Sequence, residues 1–409
     1  VVYGAFAYLN SPQINKVQKL LVIGPKHSFK SWIDEFYLNF GDKKKLRLFS
    51  IADVKRKDRR QEIMFGTGGK NLILINYEIL PSIKNELKSI IDDTVMVVFD
   101  ESHKIKSLTG IRAKVSQEIV QNAYFTTLLT GTPIPNGYED LYTSLKIMFK
   151  NDYKYYIGFT PSELKQLNGY SEDSPSLQQF NNLIYPFYIR TTKQELKVPK
   201  ANDDHIIPLS LTPAEIELIY KVIYRYYDNV LTLYIRLVQA LSHPKSLLSK
   251  INKQDLLFLT DVEFDGDSDS RVKNIRIDDE VQYDIDDVKL INQISTSTKI
   301  QTGVKLIQNL VNEGKSVLAW ALFIDTLYKI EEELTKLGIS SRVICGQVEL
   351  LERESIIEEF KSGKIQVLIA NPQTLAESVS LHMICHDAVY FEYSFNLTHM
   401  LQSRDRIHR

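Results

Sequence analysis

VVFDESHKIKS, running from Val97 to Ser107, is an apolar run that stops on two adjacent carboxylates, Asp100 and Glu101, followed at once by Ser102 and His103. Together with Val95 and Met96 it is too short for a helix, and it has the continuous apolar character of a parallel strand buried on both faces. The carboxyl ends of such strands form the ligand-binding edge of an open α/β sheet. A strand closing on Asp-Glu at that edge can hold a magnesium ion and orient a water against a terminal phosphate. Successive strand side chains point oppositely, so the two carboxylates divide the work. Asp100 is assigned to the metal, through a coordinated water, and Glu101 to the attacking water as base. An acidic surface turn is the alternative reading of the same residues.

Two further segments bear on that choice. Residues 124–137, YFTTLLTGTPIPNG, form another apolar run, closing on Thr130, Gly131, Thr132 and Pro133. Gly131 allows a tight turn, and the two hydroxyls can hydrogen-bond the acidic loop and pass nucleotide state to neighbouring elements. Near the end of the chain, in QSRDRIHR, Gln402, Arg406 and Arg409 stand at spacings of four and three, which places them on one helix face. Two permanently charged, planar guanidinium groups on one face suit a phosphate in its transition state. Taken singly, these two segments also read as a plain turn and a solvated basic helix end.

In this order, DESH, LTGTP and QxxxRxxR, the chain resembles the motif series of superfamily two helicases, and specifically the Swi/Snf-type DNA translocases. LLVIGPKHSFKSWIDEF (Leu20–Phe36), LILINYEIL (Leu72–Leu80), PFYIRTTKQELKVPK (Pro186–Lys200), the stretch around His243 and Pro244, and STKIQTGVKLIQNL (297–310) extend the resemblance over nearly the whole chain. The resemblance implies ATP and Mg²⁺ as cofactors and a DNA-stimulated ATPase that moves on duplex DNA and remodels bound proteins. It makes Gln402, Arg406 and Arg409 catalytic alongside Asp100 and Glu101, and His103, Thr130, Gly131 and Thr132 coupling residues. It brings Lys26, His27, Asn76 and Tyr77 close to the DNA track, where grip on the backbone leaves little sequence preference. The motor subunit of a restriction or phage-defence system, and a catalytically silent interaction scaffold, are the other readings. One segment departs from the pattern. Ala376–His382 stands where many chromatin-remodelling relatives carry a glycine-rich run, and with Cys385–Asn396 it looks more like a bacterial subgroup, implying a cytoplasmic, nucleoid-associated protein.

Alternating strand and helix patterns predict an α/β fold with two RecA-like parallel-sheet lobes joined by a helical and acidic linker. Strands are expected near 20–24, 46–51, 71–75, 95–99 and 125–129, then near 316–321, 341–344, 366–370 and 388–392. The expected domains are a first lobe over 1–195, a helical insertion and linker over 196–290, and a second lobe over 291–409. Within the insertion, Tyr220, Ile223, Tyr227, Leu231 and Tyr234 recur at helical steps and are expected to form helix-packing core. Residues 261–287, acidic and without periodicity, are the linker candidate.

Composition narrows the class. The chain has 409 residues, 44% hydrophobic and 25% charged, enough for two or three packed domains. Nothing in it approaches the ~18 apolar residues of a membrane helix. Its two cysteines, Cys345 and Cys385, suit core positions in a reducing compartment, and no Cys/His cluster has the spacing of a structural zinc site. A net charge of −1 does not announce a nucleic-acid binder, although the runs Lys43–Lys45 and Lys55–Arg60 could face either phosphate or solvent. The glycine-rich GxxxxGK[ST] phosphate loop is missing, since Gly66–Lys70 lacks its spacing and follows no strand. Residues 1–9 read as the helix that would follow such a loop. The expectation is therefore a fragment of a longer protein that hydrolyses ATP poorly by itself.

Overall fold

The apolar runs of the first half pair as β1 (Lys19–Gly24), β2 (Leu48–Ser50), β3 (Leu72–Asn76), β4 (Val95–Phe99) and β5 (Phe125–Leu128). The structure is a computed structural model that describes residues 1–131, 133–134, 137–171, 173–192, 194–251, 283–375, 381–393 and 397–408. All the pairings are parallel, in the spatial order β2-β3-β1-β4-β5. Every residue of β3 and β4 is buried, which a parallel sheet achieves by carrying helices on both faces. Phe6, Phe36 and Val120, from the helical layers, complete the core around these strands.

The second half builds a separate parallel sheet from β6 (Val317–Trp320), β7 (Ser341–Ile344), β8 (Val367–Ala370) and β9 (Asp387–Tyr390), ordered β7-β8-β6-β9. Alternation along β6 divides its side chains between two cores: Val317 and Ala319 enter one, Leu318 and Trp320 the other. The fold is thus α/β, with two parallel-sheet lobes. Chain contacts divide the described residues into two compact units, Val1–Arg190 and the residues from Thr191 onward. No helix among the described residues is long and apolar enough to cross a membrane.

Helices Pro213–Tyr226, Val230–Ser242 and Ile285–Gln293 belong to the second unit. The first opens with a capping box between Thr212 and Glu215 and a proline in its first turn. Glu215 is buried and serves a second helix as well, accepting hydrogen bonds from Thr298 N and Thr298 Oγ1, both at 2.6 Å. One carboxylate therefore closes the amino ends of two helices, Pro213–Tyr226 and Thr298–Asn312.

The structure corrects part of the tyrosine stripe, since Leu231 and Tyr234 pack against a core cluster that includes Ile235 while the earlier members do not. Leu218, Val222 and Tyr226 form the packing face of Pro213–Tyr226, against Leu290 and Ile291, whereas Tyr220 and Tyr227 are 69% and 72% exposed. Both sets fall at helical steps, and what packs on the helix selects the face that is buried. The acidic linker lies largely outside the described residues, but its last part is structured. Asp284 caps the helix Ile285–Gln293, and buried Asp287 accepts from Lys221 Nζ and Arg225 Nη2, both at 2.8 Å.

Helix Thr298–Asn312 crosses the end of β9 at Gly303, where an added Cβ would overlap the Phe391 ring. We predict that Gly303→Ala destabilises the fold by about 1–3 kcal/mol through overpacking, read as a lowered urea midpoint. An unchanged midpoint would show that this crossing has room to spare.

Candidate active site

Register at one sheet edge brings the sequence motifs together. Ile23 pairs with Phe99 and Phe99 with Leu128, so β1, β4 and β5 end side by side. The ladder continues past the strands, with Asp100 N donating to Ile23 O at 2.8 Å and Leu129 N to Phe99 O at 2.8 Å. Ser102 N then reaches across to Leu129 O at 2.9 Å and ties the acidic loop to the Thr130 turn by backbone. Close approach explains Gly24 at the end of β1: a Cβ there would lie 3.0 Å from Asp100 Cβ and 3.3 Å from Ser28 Oγ.

Asp100 is held from several directions. Trp32 Nε1 donates to its Oδ2 at 2.9 Å, Glu101 N to its Oδ1 at 3.1 Å, and Tyr77 Oη to its backbone carbonyl at 2.7 Å. Burial pushes the Asp100 carboxyl above its ordinary range, and the hydrogen bond from Trp32 opposes that rise. Glu101 adopts a left-handed backbone conformation, φ 51° and ψ 52°. For a residue with a full side chain this stores on the order of 1–3 kcal/mol of strain, the kind of outlier that clusters at functional sites. Glu101 Oε2 lies 3.2 Å from His103 Nδ1, yet both atoms are buried and neither has a hydrogen-bond partner. A buried carboxylate oxygen left in that state costs free energy unless a water or ligand supplies the partner.

These residues fit a magnesium nucleotide. Among the described residues, no three His, Cys, Asp or Glu side chains gather into a cage for a metal ion. An ion held by one carboxylate, with water and phosphate oxygens completing its shell, matches the habit of Mg²⁺ and not that of calcium or zinc. Asp100 offers that single carboxylate.

The other residues singled out in the sequence are distributed differently from expectation. Lys26 is exposed just beyond β1 and His27 is half-buried beside it. Asn76 and Tyr77, expected near DNA, are 1% and 0% exposed. The Tyr77 hydroxyl is committed to the Asp100 carbonyl and braces the acidic loop, while Asn76 Nδ2 donates to Glu78 Oε2. Thr130 is half-buried and Gly131 exposed, while Thr132 lies outside the described residues. A backbone bond from Ser102 N to Leu129 O links this turn to the acidic loop. Lys44, in the first basic run, folds inward onto the Phe6 ring at 4.9 Å and bonds Asn10, and burial lowers its pKa. Trp32 was missed as a site residue, since a tryptophan on a helix gives no sign of where its single N–H is aimed.

In the second unit, helix Leu397–Arg404 carries Gln402 but stops before Arg406. The single helix face expected for Gln402, Arg406 and Arg409 is therefore corrected: Arg406 sits in the turn that follows, and its Nε donates to Gln402 O at 3.0 Å. Arg406 O accepts from Leu381 N at 2.9 Å, which anchors the turn to the start of the segment leading into β9. Gln402 Oε1 is buried without a hydrogen-bond partner. Arg409 and residues 376–380 lie outside the described residues. Glu392, also unforeseen, is 2% exposed just after β9 and accepts from Leu322 N at 2.7 Å, Phe323 N at 3.1 Å and Thr326 Oγ1 at 2.9 Å. It thereby caps the helix Ile324–Lys336, where the helix dipole favours a negative charge.

The raised pKa of Asp100 has a sign that can be checked. An aspartate raised on folding stabilises the folded state only while protonated, and that contribution is lost as pH rises through the folded pKa. We predict that Asp100→Asn, in metal-free buffer, melts at a higher temperature than the parent at pH 7. The gap should close as pH falls below the raised pKa, where the parent carboxyl is itself neutral. Parallel melting curves at every pH would contradict this reading of the site.

Comparison with known proteins places the chain. Residues 5–257 match the SNF2-related domain and residues 298–409 the helicase conserved C-terminal domain. The ATP-dependent helicase FUN30 of Saccharomyces cerevisiae is 24% identical over 100% of this chain and 40% of its own length. An uncharacterized ATP-dependent helicase of Mycoplasma pneumoniae is 23% identical over 99% of this chain and 35% of its own length. The chain thus spans well under half of the length of these curated relatives. Among solved structures, the Sulfolobus solfataricus SWI2/SNF2 ATPase core in complex with dsDNA is 19% identical, covering 100% of this chain and 77% of that one with a TM-score of 0.39. With the first match alone covering more than half of its residues, the chain belongs to the SNF2-related family of helicase-like ATPases.

Proposed function

We propose that this chain is the motor core of a DNA-stimulated ATPase that translocates on duplex DNA and displaces or remodels proteins bound there. The observation that carries the reading is the edge of the first sheet, where Asp100 and the strained Glu101, whose buried Oε2 accepts no hydrogen bond, stand beside the Thr130 turn. Membership of the SNF2-related family supports it. Bound Mg²⁺-ATP would supply the phosphorus centre to be attacked and the charge neutralisation that lets water approach it. Asp100 would hold the ion through water, and Glu101 would take the proton of the attacking water. His103, 3.2 Å from Glu101, would keep that carboxylate turned towards the water.

Arg406 and Arg409, from the second unit, would stabilise the charge that develops on the phosphate, with Gln402 holding Arg406 in place. A guanidinium in that role is worth roughly 10³- to 10⁵-fold in rate. In this reading hydrolysis needs both units to meet around one nucleotide, so their closure and reopening can drive steps along DNA. Lys26 and His27, at the end of β1, would grip the phosphate backbone. The backbone bond from Ser102 to Leu129 gives the acidic loop a direct route to the neighbouring turn. A bacterial, nucleoid-associated setting is supported by the resemblance of the sequence from Ala376 to His382 and from Cys385 to Asn396 to a bacterial subgroup.

Two outcomes test the proposal. In the full-length protein, Glu101→Gln should bind ATP with near-parent affinity while its turnover falls at least a hundredfold, measured by nucleotide binding and phosphate release. Turnover at the parent rate would refute the assignment of the base. Duplex DNA should raise the ATPase rate, and added salt should weaken that stimulation as counterion release becomes less favourable. An equal rate with and without DNA would remove the translocase while leaving the ATPase.

A further inference from the structure

We propose that Trp32 is a positioning residue for the metal site, its indole N–H fixing the rotation of the Asp100 carboxylate. This rests on the function proposed above and adds a residue to it. The two oxygens of Asp100 are anchored from different elements, Oδ2 by Trp32 Nε1 at 2.9 Å and Oδ1 by Glu101 N at 3.1 Å. The carboxylate plane cannot turn without breaking one of these bonds. The indole is a donor only, so it cannot reverse the bond as a hydroxyl could, and it always presents a hydrogen to that oxygen.

Trp32 is itself braced. Its carbonyl accepts from the Tyr3 hydroxyl, and the Tyr3 ring meets it edge-on at 5.5 Å between centroids. It sits in the first turn of helix Phe29–Phe40, only a few residues beyond the Lys26–Ser28 segment that leaves β1. An indole of this kind acts as the outer partner that orients a metal-holding carboxylate, and loss of such a partner lowers metal affinity by roughly ten- to a hundredfold.

The test uses the full-length protein. Trp32→Phe keeps an aromatic ring against Tyr3 while removing the N–H donor together with the five-membered ring. We expect the Mg²⁺ concentration for half-maximal ATPase to rise at least about tenfold, with kcat at saturating Mg²⁺ and affinity for duplex DNA within about twofold of the parent. A merely structural role would lower kcat or DNA affinity and leave the Mg²⁺ midpoint where it was.

A second readout keeps Trp32 intact. These 409 residues hold two tryptophans, and Trp320→Phe, in the second unit, leaves Trp32 as the one tryptophan among them, read with excitation selective for tryptophan. With a non-hydrolysable ATP analogue bound, its emission should shift on adding Mg²⁺, with the same midpoint as ATPase activation, and Asp100→Asn should abolish that shift. An unchanged Mg²⁺ midpoint in Trp32→Phe, or emission indifferent to Mg²⁺ in a Mg²⁺-activated protein, overturns the inference while the proposed function stands. Failure of the parent itself to hydrolyse Mg²⁺-ATP would instead sink both.

Discussion

Strand β4 is held between β1 and β5 by parallel backbone ladders, and the chemistry of the first unit depends on that register. Shifting β4 by one residue would swap the faces on which its side chains pack and move Asp100 away from Gly24 and the Thr130 turn. Burial resists the shift. All of β4 is inside, and removing one large apolar side chain from such a site costs about 2–5 kcal/mol. The rigid strand therefore delivers its two carboxylates to a fixed place, and the glycine at the end of β1 leaves room for the first of them.

That place is costly in itself. It combines a buried carboxyl whose ionisation is opposed by desolvation, a left-handed glutamate, and a carboxylate oxygen with no hydrogen-bond partner. Such features persist only where surrounding structure overdetermines them. Here the overdetermination comes from Trp32, Tyr77 and the backbone bonds to Ile23 and Leu129. The second unit solves a related problem differently: Glu392 is more deeply buried, but its oxygens meet two backbone N–H groups and a hydroxyl, so its carboxylate caps a helix.

Much of this was legible in the sequence, and what was not has identifiable causes. Strands of a parallel sheet covered by helices write themselves as short apolar runs, so the nine strands among the described residues lie where those runs predicted them. Motifs that end those strands were placed on the right edge for the same reason. Burial of Asn76 and Tyr77 was not legible, because a polar residue just past a strand looks the same whether it faces solvent or props up the next loop. The exposed tyrosines Tyr220 and Tyr227 were misread because two faces of helix Pro213–Tyr226 carry helical spacing and only what packs on it, Ala240, Leu247, Leu290 and Ile291 among others, distinguishes them. Spacing of four and three placed Gln402 and Arg406 on one helix, whereas the helix ends at Arg404 and a turn returns Arg406 to Gln402. Lys44 buries its stem and head on aromatic rings, a choice that a run of three lysines does not reveal.

The central claim is that Asp100 holds the metal of a bound nucleotide at the edge formed by β1, β4 and β5. The most direct measurement is a crystal structure of the full-length protein with Mn²⁺ and a non-hydrolysable ATP analogue, with the ion located by its anomalous scattering. The account predicts the ion one coordinated water away from the Asp100 carboxylate, with Glu101 facing the terminal phosphate. An ion bound elsewhere, with Asp100 remote from it and from the phosphates, would contradict it.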